Sequence, residues 1–149
     1  GATWKDEHTN FVYSNCPNNI LVLRFADVLL MYAEACNELG ESREALDKLE
    51  MVRARARRTV HPADMTVGLP EITETGKEKL REIIWNERRI ELALEGHRFF
   101  DLIRADNVVP GYAEKMMKAH GKTNFSIAKH ATFFIPQKQV DISQGVLKN

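Results

Sequence analysis

The sequence predicts a mainly α protein: a tetratricopeptide-like helical hairpin, then a long buried helix, with irregular loops and few short strands. Three observations predict it. Apolar residues recur at three- and four-residue spacing over 21–39 and again over 42–58, which puts them on one helical face. Gly40 and Ser42 punctuate the junction, a glycine for a left-handed helix end and a serine for the next helix start. A third stretch, 77–105, is apolar round much of its circumference, as a buried helix is.

Residues 1–20 carry Asn10, Asn15, Pro17, Asn18 and Asn19 and read as an irregular N-terminal segment, with a short strand at 11–13. The helical domain is expected over 21–149. In its first helix the stripe is Val22, Phe25, Ala26, Leu29, Ala33, Cys36 and Leu39. In the second it is Ala45, Leu46, Leu49, Val52 and Ala56. So short a link makes the two helices antiparallel neighbours. Small side chains at Ala33 and Ala45 let them approach closely, as a tetratricopeptide unit requires. Such a unit cannot bury its apolar face alone and must stack on further helices.

A long connection, 59–76, holds His61-Pro62, Gly68, Leu69-Pro70 and Gly76. The third helix is expected from 77 to 105, stopped by Pro110-Gly111. A short helix over 112–120, a loop over 121–129, a short strand over 130–136 and a tail complete the chain.

The 149 residues suffice for one domain with a core. The formal net charge is zero, which removes the long-range positive field of a general nucleic-acid binder. Arg53, Arg55, Arg57 and Arg58 cluster in the last turns of a helix, where cations complement its dipole. Cys16 and Cys36 form neither a disulfide framework nor a zinc set, and Cys36 reads as a small core residue. No apolar run reaches the ~18 residues of a membrane helix. Any membrane anchor is expected upstream of Gly1.

Charge within 77–105 needs an explanation. Glu87, Glu91 and Glu95 are spaced by four and share one face of a continuous helix. Buried charges must be paired. An internal ionic network is therefore expected among Glu87, Arg88, Glu91, Glu95, Arg98 and Asp101, with Arg24, Asp27 or Glu34 of the first helix as partners. The chemical alternatives are weaker. A glycosidase needs two carboxyls facing across a cleft, which one helix stripe does not supply. A bundle metal site wants Glu-x-x-His, and the third residue after Glu95 is Arg98. Gly96, inside the expected helix, implies a close backbone contact. No cofactor is implied. Trp4, Tyr13 and Tyr112, expected on loops, are the candidate aromatics for stacking on a sugar ring, ahead of Trp85 and Phe125.

At this point the sequence resembles the SusD/RagB family. Arg24-Phe-Ala-Asp-Val-Leu-Leu-Met-Tyr-Ala-Glu-Ala35 is similar to its signature helix, and 49–56 to the helix that follows. Glu87-Arg-Arg-Ile-Glu-Leu-Ala-Leu-Glu-Gly-His-Arg-Phe-Phe-Asp-Leu102 is the most specific match. Phe134-Ile-Pro-Gln137 resembles the family's C-terminal tail. Arg57, Ile103, Ala105 and Lys148 depart from residues common there.

The resemblance implies the C-terminal portion of a non-catalytic lipoprotein on the extracellular face of the outer membrane. It would bind an oligosaccharide or other nutrient and sit over a SusC-like TonB-dependent transporter. No nucleic acid would be a partner, and the membrane would be touched only through an anchor absent from this chain. On this reading residues 1–149 alone bind glycan weakly. The rival reading, a tetratricopeptide-type protein–protein adaptor, rests on the hairpin.

Overall fold

The computed structural model of the chain describes residues 22–60 and 69–148. Among these residues there are seven helices and no strand, as the mainly α expectation requires. The expected strand at 11–13 lies outside the described residues. The one expected at 130–136 does not form. Helices Ile127–His130 and Gln137–Ile142 flank an extended connection there, and no neighbouring strand among the described residues supplies a ladder. The chain divides into two compact units, Gly1–Lys77 and Glu78–Asn149.

The first unit is the hairpin. Helix α1 (Phe25–Leu39) packs against helix α2 (Ser42–Val60). Leu30, Ala33, Cys36, Ala45, Leu49 and Val52 are buried, and Ala33 and Ala45 are fully so. The buried face of α1 is rotated from the expected stripe: it runs through Asp27, Leu30, Ala33, Cys36 and Asn37. Phe25 and Leu39 are exposed instead. A run this rich in apolar residues fits more than one stripe.

Gly40 closes α1 as expected. Its φ of +86° lets its N–H reach Asn37 O at 3.1 Å, while Glu41 N–H reaches Cys36 O at 2.8 Å. Ser42 does not cap α2. Glu41 O already accepts from Ala45 N–H at 3.0 Å, so Ser42 lies within the helix. Its hydroxyl donates to Thr75 O at 3.1 Å.

Polar side chains tie the segment 69–77 back onto the hairpin. Asn37 is fully buried and donates from Nδ2 to Lys77 O at 2.9 Å. Lys77 Nζ donates to Glu38 O at 2.6 Å, a cation at the negative end of α1. Arg53 Nη2 donates to Pro70 O at 2.9 Å and Arg57 Nη1 to Leu69 O at 2.8 Å. Both arginines are buried, and Arg57 also pairs with Glu50. Half of the basic cluster is thus committed to main-chain carbonyls.

The second unit holds helices α3 (Lys77–Glu91), α4 (Arg98–Val108), α5 (Tyr112–Ala119), α6 (Ile127–His130) and α7 (Gln137–Ile142). The long third helix expected over 77–105 is broken. It ends at Glu91, turns over 92–97 and resumes at Arg98. Leu94 at φ +68° and Gly96 at φ +83° place two left-handed residues in the turn. A Cβ placed on Gly96 would meet nothing within 4 Å, so close backbone contact does not explain the glycine. The backbone angle does.

Replacing Gly96 with alanine should therefore lower stability by about 1–2 kcal/mol through strain alone. Urea unfolding measures it, and an unchanged midpoint would contradict the assignment.

Candidate functional site

The second unit brings together the residues with chemical interest, and the turn at 92–97 decides which of them meet. By ending α3 and redirecting the chain into α4, it places Asp101 beside Arg88. Arg88 Nη2 lies 3.2 Å from Asp101 Oδ1, and Arg88 Nε lies 3.3 and 3.2 Å from Oδ1 and Oδ2. The two side chains are only 5% and 12% exposed, so the pair is largely shielded from water. Arg104, at the rim, adds a 3.3 Å contact to Asp101 Oδ1.

Next to this pair sits a small core of Trp85, Leu102, Ala105, Tyr112 and Ala113, bordered by Met116, Met117, Phe125 and Ile127. Two carboxylates hold main-chain N–H groups around it. Asp106 Oδ1 accepts from Ala113 N–H at 2.8 Å, bridging the Pro110-Gly111 turn between α4 and α5. Glu114 Oε1 accepts from Ile127 N–H at 3.1 Å and anchors the start of α6.

The expected site residues divide accordingly. Trp4 and Tyr13 lie outside the described residues. Tyr112 is not on a loop. It opens α5 after Gly111 at φ +84°, is buried, and meets Trp85 edge-on with ring centroids 4.8 Å apart. That makes it a core residue rather than an exposed stacking platform. Glu87 is buried, Arg24, Glu34, Glu91 and Arg98 are half-buried, and Glu95 is exposed. Glu95 falls in the turn after α3, so it does not share a helical face with Glu87 and Glu91. Among the described residues no group of three His, Cys, Asp or Glu side chains is arranged to hold a metal ion. None of the described helices is long and apolar enough to cross a membrane.

Two open cavities mark this unit. One of about 200 Å³ lies among α3, α4 and α5, lined by Glu82, Asn86, Arg89, Arg98, Tyr112 and Lys115, with Met116 beside them. The second, about 350 Å³, is formed by Met117, the loop 121–125 and His130. There the Phe125 and His130 rings stack at 5.5 Å. In the first unit, a cleft of about 320 Å³ runs between α2 and residues 71–73, lined by charges of both signs. Arg89 and Lys115 carried no distinctive signal in sequence. The break at 92–97 and the turn into α5 bring them to one cavity with Arg98.

Burial pushes the Tyr112 hydroxyl above the ordinary tyrosine range, against the opposing pull of Arg98 and with a further upward push from Glu82. Burial likewise holds the Arg98 guanidinium below its usual value, while Tyr112 partly offsets that and the like charge of Arg89 adds to it.

Two outcomes follow from these environments. Asp101→Asn leaves Arg88 buried beside a neutral amide and should cost about 3 kcal/mol. Arg104→Ala, at the rim, should cost less than about 1 kcal/mol by chemical denaturation. For Tyr112 the native state keeps its proton to higher pH than the unfolded chain. Its contribution is complete below the ordinary tyrosine pKa of about 10 and is lost as pH rises towards the raised native value. The fall in stability above about pH 10 should be shallower in Tyr112→Phe, and identical curves would contradict the burial argument.

Comparison with known proteins adds the context. The SusD family model matches residues 4–149. SusD-like protein P38 of Formosa agariphila is 38% identical over 92 residues, covering 61% of this chain and 18% of that protein. SusD-like protein P2 of the same organism is 40% identical over 90 residues, 58% of this chain and 17% of its own length. SusD-like protein P25, also from that organism, is 39% identical over 101 residues, 68% and 18% respectively. The aligned parts span less than a fifth of these curated relatives. No solved structure matches the chain. The helix–turn–helix that pairs Arg88 with Asp101 lies inside a family match that runs through nearly every residue, and the chain belongs to the SusD family.

Proposed function

We propose that the chain is part of a non-catalytic glycan-binding component of an outer-membrane nutrient-uptake system. The observation that carries this reading is the family match over residues 4–149. In such a system the protein is a lipid-anchored receptor on the extracellular face, and it delivers an oligosaccharide to a SusC-like TonB-dependent transporter. No covalent chemistry is asked of its residues. Affinity comes from a preformed surface, ring stacking and hydrogen bonds to hydroxyls.

In this reading the charges of the helical domain are struts. Arg88 and Asp101 join α3 to α4, and Arg24, Glu34, Glu87, Glu91 and Glu95 belong to the same structural role. Trp4 and Tyr13 remain the proposed sugar-stacking aromatics from the sequence. The exposed apolar side of α1, with Phe25, Met31 and Tyr32, suits stacking on further helices. That favours a scaffold within a larger receptor over a free-standing adaptor.

Affinity electrophoresis of the gene product carrying this chain, against a panel of polysaccharides, tests the reading. Retardation by at least one glycan, with no release of reducing ends, is expected. Residues 1–149 alone should be retarded weakly or not at all. Glycan cleavage, or capture of peptides with no response to any glycan, would overturn it.

A further inference from the structure

The cavity among α3, α4 and α5 is unusual in its charge. Three cations, Arg89, Arg98 and Lys115, face a single carboxylate, Glu82. Asp101, one turn further along α4, attracts Arg98 but makes its close contacts to Arg88 and Arg104. Arg89's contacts at the cavity are instead to a neutral acceptor. Arg89 donates to the Asn86 amide oxygen from Nε at 3.2 Å and from Nη2 at 3.0 Å. Arg98 and the Tyr112 hydroxyl line it together and favour each other's position electrostatically.

Two guanidiniums close enough to disfavour each other's charge, both half-buried, are stabilised by an anion placed beside them. Guanidinium is also the group best shaped to grip an oxyanion through paired N–H donors. Tyr112, beside Arg98 in the lining, has its own O–H to donate. Its ring is fixed by Trp85, so that donor is positioned in advance. The volume, about 200 Å³, equals the liquid space of roughly six waters. That admits one charged group with part of the ring bearing it.

We propose that this cavity is an oxyanion subsite that takes the carboxylate or sulfate ester of an acidic sugar. The inference rests on the glycan-binding reading above and deepens it, by making the ligand an anionic glycan. Arg89 and Arg98 grip the charged group, Lys115 adds attraction from the open side, and Tyr112 donates one hydrogen bond. A neutral sugar at the same place would leave three cations facing the one lining carboxylate, Glu82. The site would therefore discriminate by charge, and its affinity would fall as salt rises.

The test is calorimetry on the gene product carrying this chain at low ionic strength. The probes are a uronic-acid oligosaccharide, a sulfated neutral-sugar oligosaccharide, its unsulfated parent and inorganic sulfate. At least one anionic oligosaccharide should bind about tenfold more tightly than the neutral parent. The double variant Arg89→Gln, Lys115→Gln should abolish that preference. Both changes lie at partly or fully exposed positions, so the fold is retained where Arg98→Gln could disturb it. Comparing the uronate and sulfate arms shows which oxyanion the site takes.

Glycan binding that ignores ligand charge, or is unmoved by the double variant, overturns this proposal and leaves the glycan-binding reading intact. Binding of inorganic sulfate alone, with no gain from any attached sugar, also overturns it. No response to any oligosaccharide overturns the glycan-binding reading itself.

Discussion

The shielded ion pair between Arg88 and Asp101 is the constraint on which the second unit depends. Two left-handed residues between α3 and α4 break the helix and redirect the chain, and such a turn is not held by helical hydrogen bonds alone. Arg88 spans it with several N–H donors, and both oxygens of Asp101 accept them. Arg104 covers the remaining side. This arrangement satisfies two charges that would otherwise be costly away from water. It also sets where Leu102 and Ala105 present themselves to Trp85, and so where Tyr112 and Ala113 can pack.

A second theme is the use of polar side chains to hold main chain in place where regular structure stops. Asn37, Arg53 and Arg57 bind carbonyls of residues 69–77. Asp106 and Glu114 bind N–H groups at the starts of α5 and α6. Each contact serves a backbone group that lies outside a helix or in its first turn. Charged side chains in this protein thus hold backbone as well as one another.

Much of this is legible in the sequence and some is not. The hairpin is, because Gly40 has one good use between two apolar periodicities and the structure puts it to that use. The face of α1 is not, since Phe25-Ala-Asp-Val-Leu-Leu-Met-Tyr32 is apolar on several sides. The break at 92–97 is hidden by Leu92-Ala-Leu94, good helix formers that continue the pattern. Only Gly96 hints at it, and a glycine within a helical run serves packing as often as it ends the helix. Arg88 and Asp101 stand out as members of an ionic network, yet their partnership depends on that break. Four-residue spacing groups Glu95 with Glu87 and Glu91, and it ceases to apply once the helix ends. The cavity residues Arg89 and Lys115 are far apart in sequence and ordinary in type, so nothing short of the fold could associate them.

The arginine clamps on Leu69 and Pro70 have a consequence for how this chain tolerates change. They grip main-chain carbonyls, so they hold residues 69 and 70 without reading the side chains there. The residue at 69 can therefore change, by evolution or by an experimenter's choice, while the docked segment keeps its place against the hairpin.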